Sequence, residues 1–170
     1  MPNRHVVLVV AALTAAVVLM PQPASAQAGC EAIIKAMNAE MKAPAWHRTA
    51  EIKTARASMK VEIIKADGQL FRRMNDGAWG KMPMDAAALN QTNGELLQSG
   101  KLTLSGCKRV GDEAVGSVAT VIYEYTSTIA GQPKPFSGRI WIGASDSLPY
   151  RSDSATMSQR TEYRGVKAPQ

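Results

Sequence analysis

The feature that most constrains the fold is a tight-turn signal that follows a stretch in which apolar and polar residues alternate. Asp67-Gly68 joins residues 59–66 to residues 69–74, and Asp-Gly is a preferred pair in two-residue β-hairpin turns. Alternation with a period of two places every second side chain on the same face of a strand. The apolar members of the first stretch are Met59, Val61 and Ile63. The pattern predicts antiparallel strands with one packed face and one wetter face.

The remaining elements follow from similar signals. A helix is predicted at residues 30–42, where Ile33, Ile34, Met37 and Met41 recur with helical spacing before Pro44. Asp85 is the expected N-cap of a short helix that is interrupted at residues 90–94, with a further helical turn at residues 95–99. Later strands are predicted at residues 102–109, 118–128, 136–142, 150–157 and 160–164. The chain is therefore an α+β domain dominated by antiparallel sheet.

The N-terminus is typical of an exported protein. Arg4 precedes an uncharged apolar run at residues 6–20, which is shorter than a membrane-spanning helix requires. Pro21 and Pro23 end the run, and Ala24-Ser25-Ala26 supplies the small residues that a signal peptidase reads. We expect residues 1–26 to be a cleaved signal peptide and residues 27–170 to be one periplasmic domain. An N-terminal membrane anchor is the alternative for the apolar run.

The two cysteines, Cys30 and Cys107, both lie in the expected mature chain. In an oxidising compartment such a pair indicates a disulfide. Two alternatives remain: a lipid anchor on Cys30, which follows the small residues Ala28-Gly29, and a pair of buried free thiols. A lipid on Cys30 and the disulfide exclude each other.

Several functional classes lack support in the sequence. The net charge is +6, but the basic residues are scattered among acidic ones, which argues against nucleic-acid binding. His47 would be the sole histidine after cleavage, too few ligands for a usual zinc site and the sole base for a nucleophile. We therefore expect neither an enzyme nor a metal or cofactor.

The order of motifs in the C-terminal half resembles a known family. A cysteine-bearing strand leads to a long hairpin, a tryptophan strand, an acidic turn with Leu-Pro and a basic residue, and a closing segment. These are residues 107–111, 113–116, 120–125, Ile140-Trp141-Ile142, residues 146–151, Tyr163 and Lys167-Ala168-Pro169. This order resembles the periplasmic lipoprotein-carrier-like superfamily of LolA, LolB, RseB and the LppX group. The resemblance implies a curved, unclosed antiparallel half-barrel, with the N-terminal helix and the short helical insertion packed on its concave face.

The resemblance also implies a function, which is the non-catalytic binding of a hydrophobic or amphipathic ligand, such as lipid or lipoprotein acyl chains, in a cavity between sheet and helices. Methionine suits such adaptable sites, and tryptophan joins an apolar face to a polar N–H group. The predicted cavity residues are Ile33, Met37, Met41, Met59, Val61, Ile63, Met74, Trp79, Met82, Tyr123 and Trp141. The alternative is an envelope module that binds or senses another protein without a small-molecule ligand. We expect a monomer.

The first prediction concerns processing. The protein purified from the periplasm is expected to have the mass of residues 27–170, less two hydrogen atoms for the disulfide. Intact-mass spectrometry before and after reduction checks both features. A mass increased by a diacylglycerol, or one that still includes residues 1–26, would contradict this prediction.

Overall fold

The computed structural model describes residues 24–170, and within them nine strands form one antiparallel sheet. The predicted signal peptide lies outside the described residues up to residue 23, and Ala24–Ala26 are the first residues of helix α1. The elements in chain order are α1 (Ala24–Lys42), β1 (Trp46–Lys53), β2 (Ser58–Ala66), β3 (Gln69–Met74), β4 (Gly80–Lys81), α2 (Ala86–Gln98), β5 (Leu102–Val115), β6 (Val118–Ile129), β7 (Phe136–Gly143), β8 (Pro149–Ser154) and β9 (Met157–Glu162). No helix of the described residues is both long and apolar enough to cross a bilayer.

The sheet has the strand order β4-β3-β2-β1-β9-β8-β7-β6-β5. The chain first builds one side of the sheet out to β4, and α2 then carries it to β5 at the other edge. From β5 the strands return inward until β9 pairs with β1. The two edge strands do not pair with each other in the described chain, so the sheet is curved and unclosed. This confirms the predicted α+β half-barrel.

Helix α1 packs against the β5–β8 half of the sheet. Its inward stripe contains Ile33 and Ala36, which are 1% and 0% exposed and contact Cys107, Ile140 and Ile142 on the sheet. Burying an isoleucine side chain fully is worth about 1.5–3 kcal/mol. The stripe predicted for this helix was wrong in one member, because Ile34 is 37% exposed. The small Ala36 takes the inward place and lets the helix backbone approach the strands.

A disulfide joins Cys30 of α1 to Cys107 of β5, with a Cα–Cα distance of 5.1 Å. It confirms the predicted pair, occupies both sulfur atoms and leaves no free cysteine in the described chain. The bond closes a loop of 77 residues. Removing that much conformational freedom from the unfolded chain is worth about 4 kcal/mol in the loop-entropy model.

Three element predictions were wrong. Residues 90–94 do not interrupt α2, because the Asn90 amide donates to the carbonyl of Met41 on α1 instead of competing with its own backbone. The predicted N-cap is confirmed, since the Asp85 carboxylate accepts from the Ala88 amide at 2.8 Å. Strand β5 does not turn at Gly111 but continues to Val115 through two register shifts. The predicted strand at residues 150–157 is two strands, β8 and β9, joined by a short turn.

Gly29 and Gly94 offer a matched test of the packing of the helices. A Cβ on Gly29 would lie 2.7 Å from the carbonyl oxygen of Cys107, whereas a Cβ on Gly94 would meet nothing within 4 Å. We expect Gly29→Ala to lower the free energy of unfolding by about 1–3 kcal/mol through overpacking. Gly94→Ala should raise the free energy of unfolding by up to about 1 kcal/mol, because alanine favours helix. Urea unfolding of both oxidised variants checks this, and equal effects would contradict the close contact at Gly29.

Candidate ligand-binding face of the sheet

The sheet has two faces that differ in what covers them. We call the face packed against α1 the helix face and the opposite one the open face. Ile140 and Ile142 of β7 belong to the helix face, since they contact α1 in the core. Trp141 between them points to the open face. The same alternation assigns the side chains of the other strands through their pairing registers.

Much of the helix face is filled. One cluster lies under α1, and a second surrounds Trp46 and Leu70 near the end of that helix. Five predicted cavity residues belong to these clusters: Ile33, Met37 and Tyr123 to the first, Ile63 and Met82 to the second. The part of the cavity expected beneath α1 is therefore occupied by side chains.

A second part of the helix face is apolar but not filled. We call it the helix-face patch, and its members are Ile52, Met59, Val61, Met74 and Met157. Ile52 pairs with Met59 on one side and with Met157 on the other. In the neighbouring row, Val61 pairs with Met74 and with Ala50. These four adjacent strands thus present a continuous apolar surface. All five members lie outside both core clusters, and Met74 is 43% exposed.

Helix α2 lies on the same side of the sheet as α1 but packs loosely. Ala86 is buried, and Leu89 joins the cluster around Leu70. Leu96 and Leu97, in its last turn, are half-buried and belong to neither cluster.

Two predicted cavity residues were misplaced, because Trp79 and Trp141 lie on the open face. The Trp79 ring stacks with Arg73, whose Cζ is 4.7 Å from the ring centroid. Trp141 is stacked by Arg151 at 4.4 Å and donates from Nε1 to Glu113 at 2.9 Å. Each tryptophan therefore belongs to a stacked, hydrogen-bonded cluster that is separated from the helices by the sheet itself.

Around Trp141 the open face forms a groove of about 790 Å³. Its charged lining residues are Glu113, Glu124, Arg139, Arg151 and Asp153. These groups already pair with one another: Arg139 with Glu124, and Arg151 with Asp153 and Glu113. The groove is polar, with three carboxylates and two guanidinium groups that are paired with one another, so it does not suit an apolar ligand. Within residues 24–170 no group of three or more metal-ligating side chains occurs.

Comparison with solved structures finds the crystal structure of the Mycobacterium tuberculosis lipoprotein LppX, with a TM-score of 0.51 and 16% sequence identity. The match covers 85% of this chain and 97% of the LppX chain. The chain has the LppX-like fold. This likeness confirms the fold that the resemblance in the order of motifs implied. No protein-family model matches the sequence, and no curated protein matches it.

Within this LppX-like fold, the sequence analysis found Met59, Val61 and Met74 of the patch but missed Ile52 and Met157. Both missed residues lie near strand ends, Ile52 in β1 and Met157 at the start of β9. The signal that would have found them is the pairing of β1 with β9, which joins opposite ends of the described chain. The ligand-binding role of every predicted residue remains a prediction.

The open face of the LppX-like sheet also holds a buried carboxylate, Glu62. It is 4% exposed, and Arg73 donates to it from Nε at 2.6 Å and from Nη2 at 3.0 Å. The Arg73 guanidinium holds the pKa of Glu62 at about 2, the Lys60 ammonium assisting and burial opposing. Because this pKa is depressed, the pair stabilises the fold above about pH 4.5, and the contribution is lost as the pH falls toward about 2.

We expect Arg73→Met to lower the free energy of unfolding by about 3 kcal/mol at neutral pH, because it removes both guanidinium hydrogen bonds of a buried carboxylate and leaves it the longer contacts of Lys60 at 3.4 Å and His47 at 3.2 Å. The difference from the wild type should shrink as the pH falls from about 4.5 to about 2, where Glu62 becomes protonated. Urea unfolding across this range measures it. The matched control is Arg139→Met, whose partner Glu124 is exposed and whose effect should not exceed about 1 kcal/mol. A pH-independent effect of Arg73→Met would contradict this account.

Proposed function

We propose that this protein is a non-catalytic component of the cell envelope that binds a hydrophobic or amphipathic ligand, such as lipid or lipoprotein acyl chains, on the helix-face patch. The observation that carries the proposal is the patch itself. It is a continuous apolar surface on four adjacent strands, on the side of the sheet where the helices lie. An apolar surface of this kind on a protein without an attached partner marks a binding site.

The free energy gained by burying the patch fits reversible binding. Burying apolar surface is worth about 25 cal/mol for each Å². Finishing the burial of these five side chains, four half-buried and one exposed, therefore contributes roughly 1 kcal/mol each, before the ligand's own apolar surface is counted. Micromolar affinity requires about 8 kcal/mol in total. The patch and a matching apolar chain together reach this range.

The chemistry of the patch favours a flexible ligand. Three of its five members are methionines, Met59, Met74 and Met157. Their unbranched thioether side chains adapt to irregular shapes at little energetic cost. A ligand with a variable conformation, such as an acyl chain, suits this surface better than a rigid polar molecule does.

The location is part of the proposal. Residues 1–26 act as a cleaved signal peptide, and residues 27–170 work as one domain in the periplasm. The Cys30–Cys107 disulfide supports this location, because structural disulfides persist in oxidising compartments and are rare in the cytosol.

The alternative function is an envelope module that binds or senses another protein through a sheet face or edge, and binding along an edge has little support. The long edge strand is β5, and two register shifts interrupt its pairing with β6 and so bend the strand. Charged side chains such as Lys108, Arg109 and Asp112 are exposed along it. Bulges and charges of this kind protect an edge from pairing with a further strand.

A pair of matched variants tests the patch. Met59→Gln combined with Met74→Gln is expected to weaken binding of the neutral probe Nile red by roughly tenfold, because it replaces apolar with polar contact surface. Val110→Gln is the control, since Val110 is an exposed apolar side chain outside the patch at 39% exposure. Fluorescence titration gives the dissociation constants. Equal affinities for the wild type and both variants would exclude the patch as the binding surface.

A further inference from the structure

A cleft between the two helices has a chemistry different from that of the helix-face patch. It has a volume of about 560 Å³ and is bounded by the end of α1, the end of β2 and the outer turns of α2. Its polar lining side chains are Asn38, Lys42, Lys65, Asn90 and Gln98. The lining thus includes two cations and three amides and contains no acidic residue.

Lys65 is the unusual member of this cleft, because it is a charged side chain that is 6% exposed. Its ammonium donates to the carbonyl oxygen of Met41 at 3.0 Å. None of the ion pairs of the described chain includes Lys65. Buried ammonium groups are normally paired with an opposite charge, because transfer out of water is costly.

The surroundings of Lys65 compensate its charge in part. Met41 lies in the last turn of α1, where the helix dipole supplies about half a negative charge. The carboxylate of Glu40 is close enough to act on Lys65, but it is already bound to Arg48 and accepts from Tyr163. Burial lowers the pKa of Lys65, and the charge of Glu40 offsets this effect incompletely. The ammonium also has three N–H donors, and the Met41 carbonyl takes one of them.

We infer that the interhelical cleft binds an anionic oxygen group, a carboxylate or a phosphate, through Lys65 with Lys42 and the amide side chains. The group would complete the charge balance of the buried ammonium. The carbonyl of Met41 also accepts from the Asn90 amide at 2.8 Å, so one contact holds α1, β2 and α2 around the cleft. This arrangement fixes the position of the cation before any ligand arrives.

The position of Lys65 indicates that the anionic group is the head of the ligand proposed above, and this step rests on that proposed function. Lys65, Ile63, Val61 and Met59 alternate along one face of β2, so the cation and the helix-face patch belong to the same face of one strand. Lys65 and Met59 lie six residues apart, or about 20 Å along an extended strand. That distance matches an amphiphile whose head lies in the cleft and whose acyl chain would pass beside Ile63, a partly buried residue of the second cluster, to reach the patch.

The test compares palmitate, methyl palmitate and inorganic phosphate on the wild-type protein by calorimetry. The acid and its ester have the same chain and differ in the charge of the head. We expect palmitate to bind more tightly than the ester by roughly tenfold or more, the usual gain from a charge-assisted hydrogen bond. Lys65→Met should abolish this difference and leave the affinity for the ester unchanged. Lys35→Met is the control, because Lys35 is an exposed lysine of α1 that does not line the cleft.

The outcomes separate this inference from the proposed function. Equal binding of acid and ester overturns the anionic site and leaves hydrophobic binding intact. Phosphate binding that depends on Lys65, with neither amphiphile bound, supports the anionic site with a free anion as its ligand and overturns the proposed function. No binding of any probe overturns both. If Lys65→Met fails to fold, Lys42→Gln replaces it and should reduce the preference for the acid several-fold, whereas an unchanged preference with this variant would contradict the site.

Discussion

The packing of α1 onto the sheet is the interaction on which the rest of the structure depends. Ile33 and Ala36 fill the space over β5 and β7, and the disulfide fixes the same helix to β5. Helix α1 covers one half of the helix face. On the other half, the apolar side chains of the helix-face patch stay outside both core clusters. The candidate site is therefore a consequence of the position at which α1 ends. The helix stops at Lys42 and does not extend over the part of the sheet that carries the patch.

Arginine–tryptophan stacking recurs on both faces of the sheet. Arg48 stacks on Trp46 of the helix face, and the two other tryptophans of the described chain have the same kind of partner on the open face. In each case the arginine also binds a carboxylate, such as Glu40 for Arg48. A stacked and paired arginine holds the indole in one position, so these tryptophans are structural groups more than adaptable ligand contacts.

The sequence predicts which residues form strands better than it predicts the face of the sheet on which each side chain lies. Turn residues such as Asp67-Gly68 mark hairpins locally, and the turn has the positive φ values expected there. The cysteine pair was identified because redox chemistry constrains it. Predicting the site residues also required the face on which each side chain lies. Trp141 follows Ile140 directly in β7, so the two side chains lie on opposite faces of the sheet. The misplacement of Trp79 and the omission of Met157 have another cause, because side chains from distant segments meet through a register that local patterns do not encode.

The last strand of the chain completes the middle of the sheet. Since β9 inserts between β1 and β8, the first strand lacks its second neighbour until residues 157–162 are available. A chain that emerges from its N-terminus cannot form this pairing early, and contacts between distant segments form slowly. The pairing that completes the middle of the sheet therefore forms only when the chain is nearly complete. Until then β1 has one edge without its partner strand, and an unpaired edge can pair with another chain.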